Sequence, residues 1–168
     1  MRLRVAAIGR MKRGPESELV ARYCERASGV GRSIGFTNVD IFDAPEARAG
    51  SASVRRADEA DILRRLAQKD MAQSTERARA LIALDETGRQ LSSANFADQL
   101  GAWRDDGRPA AVFMIGGADG LQADVRDQSD LVLAFGRITL PHQIARAVLM
   151  EQIYRAMTIL AGHPYHRD

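Results

Sequence analysis

Cysteine is all but absent: Cys24 stands alone, so no internal disulfide can staple the fold. No apolar run reaches the length needed to span a bilayer, and Met1-Arg2-Leu3-Arg4 has no long apolar segment behind it. The expectation is therefore a soluble, cytoplasmic chain without a membrane partner. Lysine is scarce too, since only Lys12 and Lys69 among 24 basic residues are not arginine, although the net charge is only +2. Arginine's planar fork suits phosphate and stacking on bases, so this balance is compatible with a nucleic-acid partner; on charge alone, genome-wide arginine preference is the better explanation. Phosphate fingerprints are missing as well. Neither G-x-x-x-x-G-K-[ST] nor G-x-G-x-x-G occurs, which removes support for ATP hydrolysis and for hydride transfer. No repeat or low-complexity run divides the 168 residues, so 1–168 is expected to be one domain. A chain of that length buries roughly two-thirds of its unfolded surface without help from a metal.

What is present is an alternation of short apolar runs and amphipathic stretches. Strands are expected at residues 3–8, 34–42, 80–84, 110–115 and 131–135. Helices are expected over 15–28, opened by Pro15 with Glu16 and Glu18, and over 54–71, with Ile62, Leu63 and Leu66 on one face and solvated arginines on the other. A third follows Ser92 or Ser93 and buries Phe96, Leu100 and Trp103; a fourth runs over 143–160. Residues 43–53, rich in Ala, Gly, Ser and Pro, form the strongest loop signal. Strands alternating with helices imply an α/β fold with a mainly parallel, layered sheet.

Two strand-to-loop edges stand out. The run F-M-I stops at Gly116-Gly117-Ala118-Asp119-Gly120, which allows a ligand close to the backbone, although a Gly pair after a strand is often only a turn. The second edge, 136–141, sets Ile138, Thr139 and Leu140 between Gly136 and Pro141 and offers backbone groups within apolar walls, better suited to an adenine ring than to a phosphate. His142 follows at a helix N-terminus that disfavours its protonated form; it is a base, a donor or a plain capping residue. On a helical wheel Arg146 falls within the apolar arc of Leu149, Met150, Ile153, Ala156, Met157 and Leu160. It faces either a pocket with an anionic ligand or a buried acid. The arc, widened by Tyr154, exceeds the needs of one small core and suggests a dimer. The tail places His163, Tyr165, His166 and Arg167 together. One cysteine and no third nearby histidine argue against zinc, whereas stacking and phosphate contacts to an unpaired base suit these groups; the alternative is a frayed terminus.

The segments I-G-G-A-D-G-L, I-T-L-P-H-Q-I-A-R, E-Q-I-Y-R-A and the ending H-P-Y-H-R-D, with the opening V-A-A-I-G-R-M-K, resemble the ribosomal RNA large-subunit methyltransferase H family over nearly the whole chain. The resemblance implies an S-adenosyl-L-methionine-dependent methyltransferase of the SPOUT class with a C-terminal trefoil knot, an exception to the unknotted rule. It implies methylation of N3 of a pseudouridine in 23S rRNA within the assembled ribosome by a homodimer, with no DNA partner and no metal. By the same resemblance the cofactor lies among Leu84, Gly116, Gly117, Phe135, Gly136, Arg137, Ile138, Thr139 and Leu140. His142, Arg146 and His166 are then the catalytic candidates, and Tyr154, His163, Tyr165 and Arg167 lie towards the RNA. His142, His166 and solvent remain open as acceptors of the N3 proton. Residues 44–79 form a longer stretch than the resemblance leads one to expect. The rivals are a non-enzymatic, ribosome-associated RNA-binding protein and a nucleotide-binding α/β enzyme.

Overall fold

The strand β4 (Ala110–Ile115) is buried at every position, as a strand covered by helices on both faces must be. In the computed structural model, which describes residues 1–48, 50–71 and 78–166, β4 is the middle of five strands. The others are β1 (Arg2–Ile8), β2 (Val39–Ala44), β3 (Ala80–Gln90) and β5 (Leu131–Ala134), and the order is β2-β1-β4-β3-β5 with every pairing parallel. Alternation along β1 divides the core between two faces. Leu3, Val5 and Ala7 pack with Phe113, Phe96, Leu149 and Ile153, under α1 (Pro15–Gly31), α3 (Ser93–Asp105) and α5 (His142–Leu160). Ala6 and Ile8 pack on the other side with Leu63, Met114 and Val125, under α2 (Ala52–Gln68) and α4 (Ala123–Asp127).

Helix starts follow local chemistry. Pro15 opens α1 with Glu16 and Glu18 in its first turn. Ser51 and Ser92 accept hydrogen bonds from Val54 N and Asn95 N, capping α2 and α3. Fully buried Arg4 closes the other end of α2. Its guanidinium donates to Leu66 O (3.3 Å), Ala67 O (3.2 Å) and Lys69 O, satisfying carbonyls at the negative end of the helix.

Three elements differ from the sequence expectation. The second strand starts at Val39 rather than near residue 34, because Arg32–Ile34 form a 3-10 turn that ends at Gly35 and sends Phe36 into the core. The third strand runs on to Gln90. Residues 85–88 bulge out, so that Leu133 lies opposite both Leu84 and Arg89. The short α4 carries too few residues to show a helical period and passes unnoticed in the sequence. The other helices lie where their patterns put them, with α2 beginning at the Ser51 cap and ending at Gln68.

Candidate functional site

Parallel strands deliver their loops to one edge of the sheet, the C-terminal one. Register sets Leu84 of β3 beside Ile115 of β4 on one side and Leu133 of β5 on the other. The loops that follow β4 and β5 therefore emerge around half-buried Leu84. After β4 the chain folds tightly on itself, with Gly120 N donating to Gly117 O at 3.0 Å. A Cβ on Gly116 would stand 2.8 Å from the Gly120 carbonyl carbon, so only glycine allows this closure. After β5, Phe135 is 36 % exposed and Ile138 79 %, two apolar side chains standing out at this edge beside exposed Arg137 and half-buried Leu140. Thr139 Oγ1 donates to Glu86 Oε2 at 2.8 Å, which ties this loop to the β3 bulge. Asp85, in the same bulge, is pushed up by burial but held below the usual carboxylate range overall by hydrogen bonds from Thr87 and by Arg126.

His142 opens α5 at the end of β1. A Cβ on Gly9 would lie 2.6 Å from His142 Nε2, and Gly9 has φ +86, so the imidazole rests directly on backbone that only glycine supplies without strain. Burial, then the charge of Arg146, lowers the His142 pKa and keeps the ring neutral at neutral pH. For Arg146 the structure supplies an acid partner. It is fully buried and donates to Asp43 Oδ2 (3.1 Å), Gly9 O (2.5 Å) and His142 O (3.2 Å). Its charge is met by Asp43, which also accepts from Met11 N at 2.9 Å.

The tail folds back along α5. Tyr165 packs on Tyr154 with ring centroids 4.7 Å apart, its hydroxyl donates to Glu151 Oε1 (3.2 Å), and Arg155 lies 4.9 Å from its ring centroid. Burial, with hydrogen bonding to Tyr23 and the nearby Glu151 carboxylate, raises the Tyr165 pKa. Tyr154 is itself buried between Tyr165 and Tyr23, so within one chain it is a platform for the tail. His166 Nδ1 lies 3.4 Å from Arg155 Nη1, and exposed His163 receives Tyr165 N on its Nδ1 at 3.2 Å. Arg167 lies outside the described residues. The residues that hold the tail, Glu151 to Arg155, are 9–13 residues along α5 from His142, about 14–20 Å of helix, so one chain does not bring His142 and His166 together.

Sequence reasoning missed Asp43, Glu46 near His142, and the acids that fix the loops, Glu86 and Asp119. The sequence signalled only that an arginine in an apolar arc calls for an acid; that the acid is Asp43, next to the end of β2, comes from the fold.

Comparison with known proteins places the chain in a family. A family model described as "Predicted SPOUT methyltransferase" matches residues 1–166. Proteins named ribosomal RNA large subunit methyltransferase H are similar from end to end: that of Nitrobacter winogradskyi is 51% identical and that of Afipia carboxidovorans 52% identical, each over 99% of both chains. That of Methylorubrum populi is 51% identical over 99% of this chain and 97% of its own. Residues 44–79, long against the first expectation, fall within these full-length matches. A parallel sheet with its glycine loops at one edge, a family model over nearly every residue and half-identity across the full length place this chain in the SPOUT methyltransferases, as a member of the ribosomal RNA large subunit methyltransferase H family.

Proposed function

We propose that this chain methylates large-subunit ribosomal RNA with S-adenosylmethionine as donor, at N3 of a pseudouridine in 23S rRNA of the assembled ribosome. Half-identity over the full length to relatives named for large-subunit rRNA methylation carries the reading. The glycine loops support the donor part. Exposed Phe135 and Ile138 offer apolar surface, and at Gly136 a Cβ would meet only open space, which supports an adenosyl group near Leu84 at this edge. Leu84, Gly116, Gly117 and the backbone of residues 135–140 would hold it. When bound, the donor supplies a sulfonium methyl carbon that N3 attacks, forming the N–C bond as the C–S bond breaks.

The chain's own task is then placement in line, exclusion of water and acceptance of the N3 proton. His142, neutral and at the same sheet edge, is one acceptor; His166 on the tail and solvent are the others. Both histidines serve one site only if the tail comes from a second copy, which favours a homodimer. The trefoil knot of the class belongs to the same reading: after β5 at one edge of the sheet, the chain returns past β3 and β4 to start α5 beside Gly9. A ribosomal substrate puts the protein in the cytoplasm, and among the described residues no helix is long and apolar enough to cross a membrane.

The test is methyl transfer from labelled donor to ribosomes of a strain lacking this protein, with the label mapped by nucleotide. Label at one pseudouridine of the large-subunit RNA is expected. Donor binding without label overturns the substrate. Neither binding nor label supports a non-enzymatic RNA-binding protein instead.

A further inference from the structure

Glu59 is only 3 % exposed, on a helix whose other charged residues are half-buried or exposed. Oε1 accepts from Ala47 N at 3.1 Å, and the carboxylate also faces the Gly117 N–H. Oε2 has no fully formed hydrogen bond among the described residues and lies where a Cβ on Gly117 would be 2.8 Å away. Such burial is costly, and burial pushes the Glu59 carboxyl up against the opposing pull of those two N–H groups. A helix that needed only to pack would carry an apolar residue here, as it does at Ala60 and Leu63. One turn earlier, Arg55 donates to Asp119 through two nitrogens, at 2.6 and 3.1 Å, and to Gly50 O at 2.8 Å. Two residues of α2 thus grip the turn after β4 at Gly117 and Asp119, and grip the loop before α2 at Ala47 and Gly50.

We propose that Glu59 is a positioning residue for the methyl donor: by fixing the backbone at Gly117 it shapes the Gly116–Gly117 wall of the donor site, and the Arg55–Asp119 pair is a second clasp on the same turn. The inference rests on the reading that this turn lines the donor site. It gives α2, and the long stretch that contains it, a part in the reaction without contact with donor or RNA. A Glu59→Gln side chain keeps the volume and can keep its oxygen on Ala47 N–H, but it loses the negative charge and puts an NH2 donor where Oε2 lies against Gly117, so the hold on the turn after β4 weakens.

The experiment uses the full chain. Binding of S-adenosylhomocysteine is measured by calorimetry, and KM is measured separately for S-adenosylmethionine and for ribosomes. Wild type is titrated first, and absence of binding there overturns the donor-site reading and this inference with it. With wild type binding, Glu59→Gln is expected to weaken product binding and raise the donor KM by about tenfold while the ribosome KM stays put, as a small misplacement of a binding wall would. A donor KM and affinity within about twofold of wild type, even with lowered thermal stability, would show Glu59 to be structural only and overturn the proposal. If the Gln variant fails to fold, Asp119→Asn loosens the same turn at a partly exposed side chain. A donor KM raised by about two- to fivefold supports the clasp, and an unchanged one overturns it.

Discussion

A guanidinium taken wholly out of water must be met by acceptors, and Arg146 is met by an acid and two carbonyls. Arg146→Ala strands Asp43 and the Gly9 carbonyl at the junction of β1, β2 and α5. Asp43 is partly exposed and keeps the Met11 N–H, so denaturant unfolding should show a loss of about 2–3 kcal/mol, below the full cost of breaking a wholly buried pair from one side. Loss of activity with unchanged stability would instead assign the arginine to the substrate. The sequence revealed that Arg146 sits in an apolar arc. It could not reveal what answers it, because Asp43 is 103 residues away and is brought near only by the pairing of β2 with β1. His142 yields a prediction in pH. Its folded pKa lies below the ordinary value of 6.5, so below that value the unfolded chain binds the proton more readily than the native one. Its contribution is complete above pH 6.5 and is lost as pH falls towards the folded pKa. Glu46 and Asp43 oppose the shift and Arg146 and Lys12 reinforce it. His142→Gln should flatten this part of a stability-against-pH profile, and an unchanged slope would place the titration elsewhere.

Among the elements, α5 carries both ends of the proposed chemistry, with His142 in its first turn and the docked tail on its later turns. The tail is held by Tyr165 on Tyr154, by Glu151 and by Arg155, so deleting residues 163–168 exposes a platform without touching the glycine loops. S-adenosylhomocysteine binding should persist in that deletion while methyl transfer to ribosomes is lost; transfer at the wild-type rate would remove the tail from the mechanism. The middle strands were legible because burial on both faces writes continuous apolar runs such as A-A-V-F-M-I. The ends of elements were not. The β3 bulge depends on Gly88, where a Cβ would stand 2.7 Å from the Val132 carbonyl, and that close approach belongs to the packing of β3 on β5 and not to either segment alone. The Gly116 and 136–141 edges were legible as loops, yet the residues that anchor them, Glu59, Arg55 and Glu86, lie on other elements and carry no local motif.

At the scale of the whole molecule the decisive fact is the about 14–20 Å of α5 between His142 and the turns, Glu151 to Arg155, that hold the tail. If a two-fold dimer brings the tail of one copy to the donor loops of the other, each site draws on both chains, and defects in the two parts must complement. One variant, Gly116→Val, spoils the donor turn, since even a Cβ there meets Gly120 backbone at 2.8 Å. The other lacks residues 163–168. Each alone should be inactive. Co-expressed, random pairing makes half of the dimers mixed, and each mixed dimer has one site with an intact donor turn and a tail from its neighbour, so about a quarter of the wild-type sites should work. A tail acting on its own chain gives a different result, because every mixed dimer then has one defect at each site. Methyl transfer by the co-expressed pair, normalised to dimer measured by sedimentation, separates the two: activity near a quarter supports the shared site, and activity no higher than that of either variant alone confines the tail to its own chain.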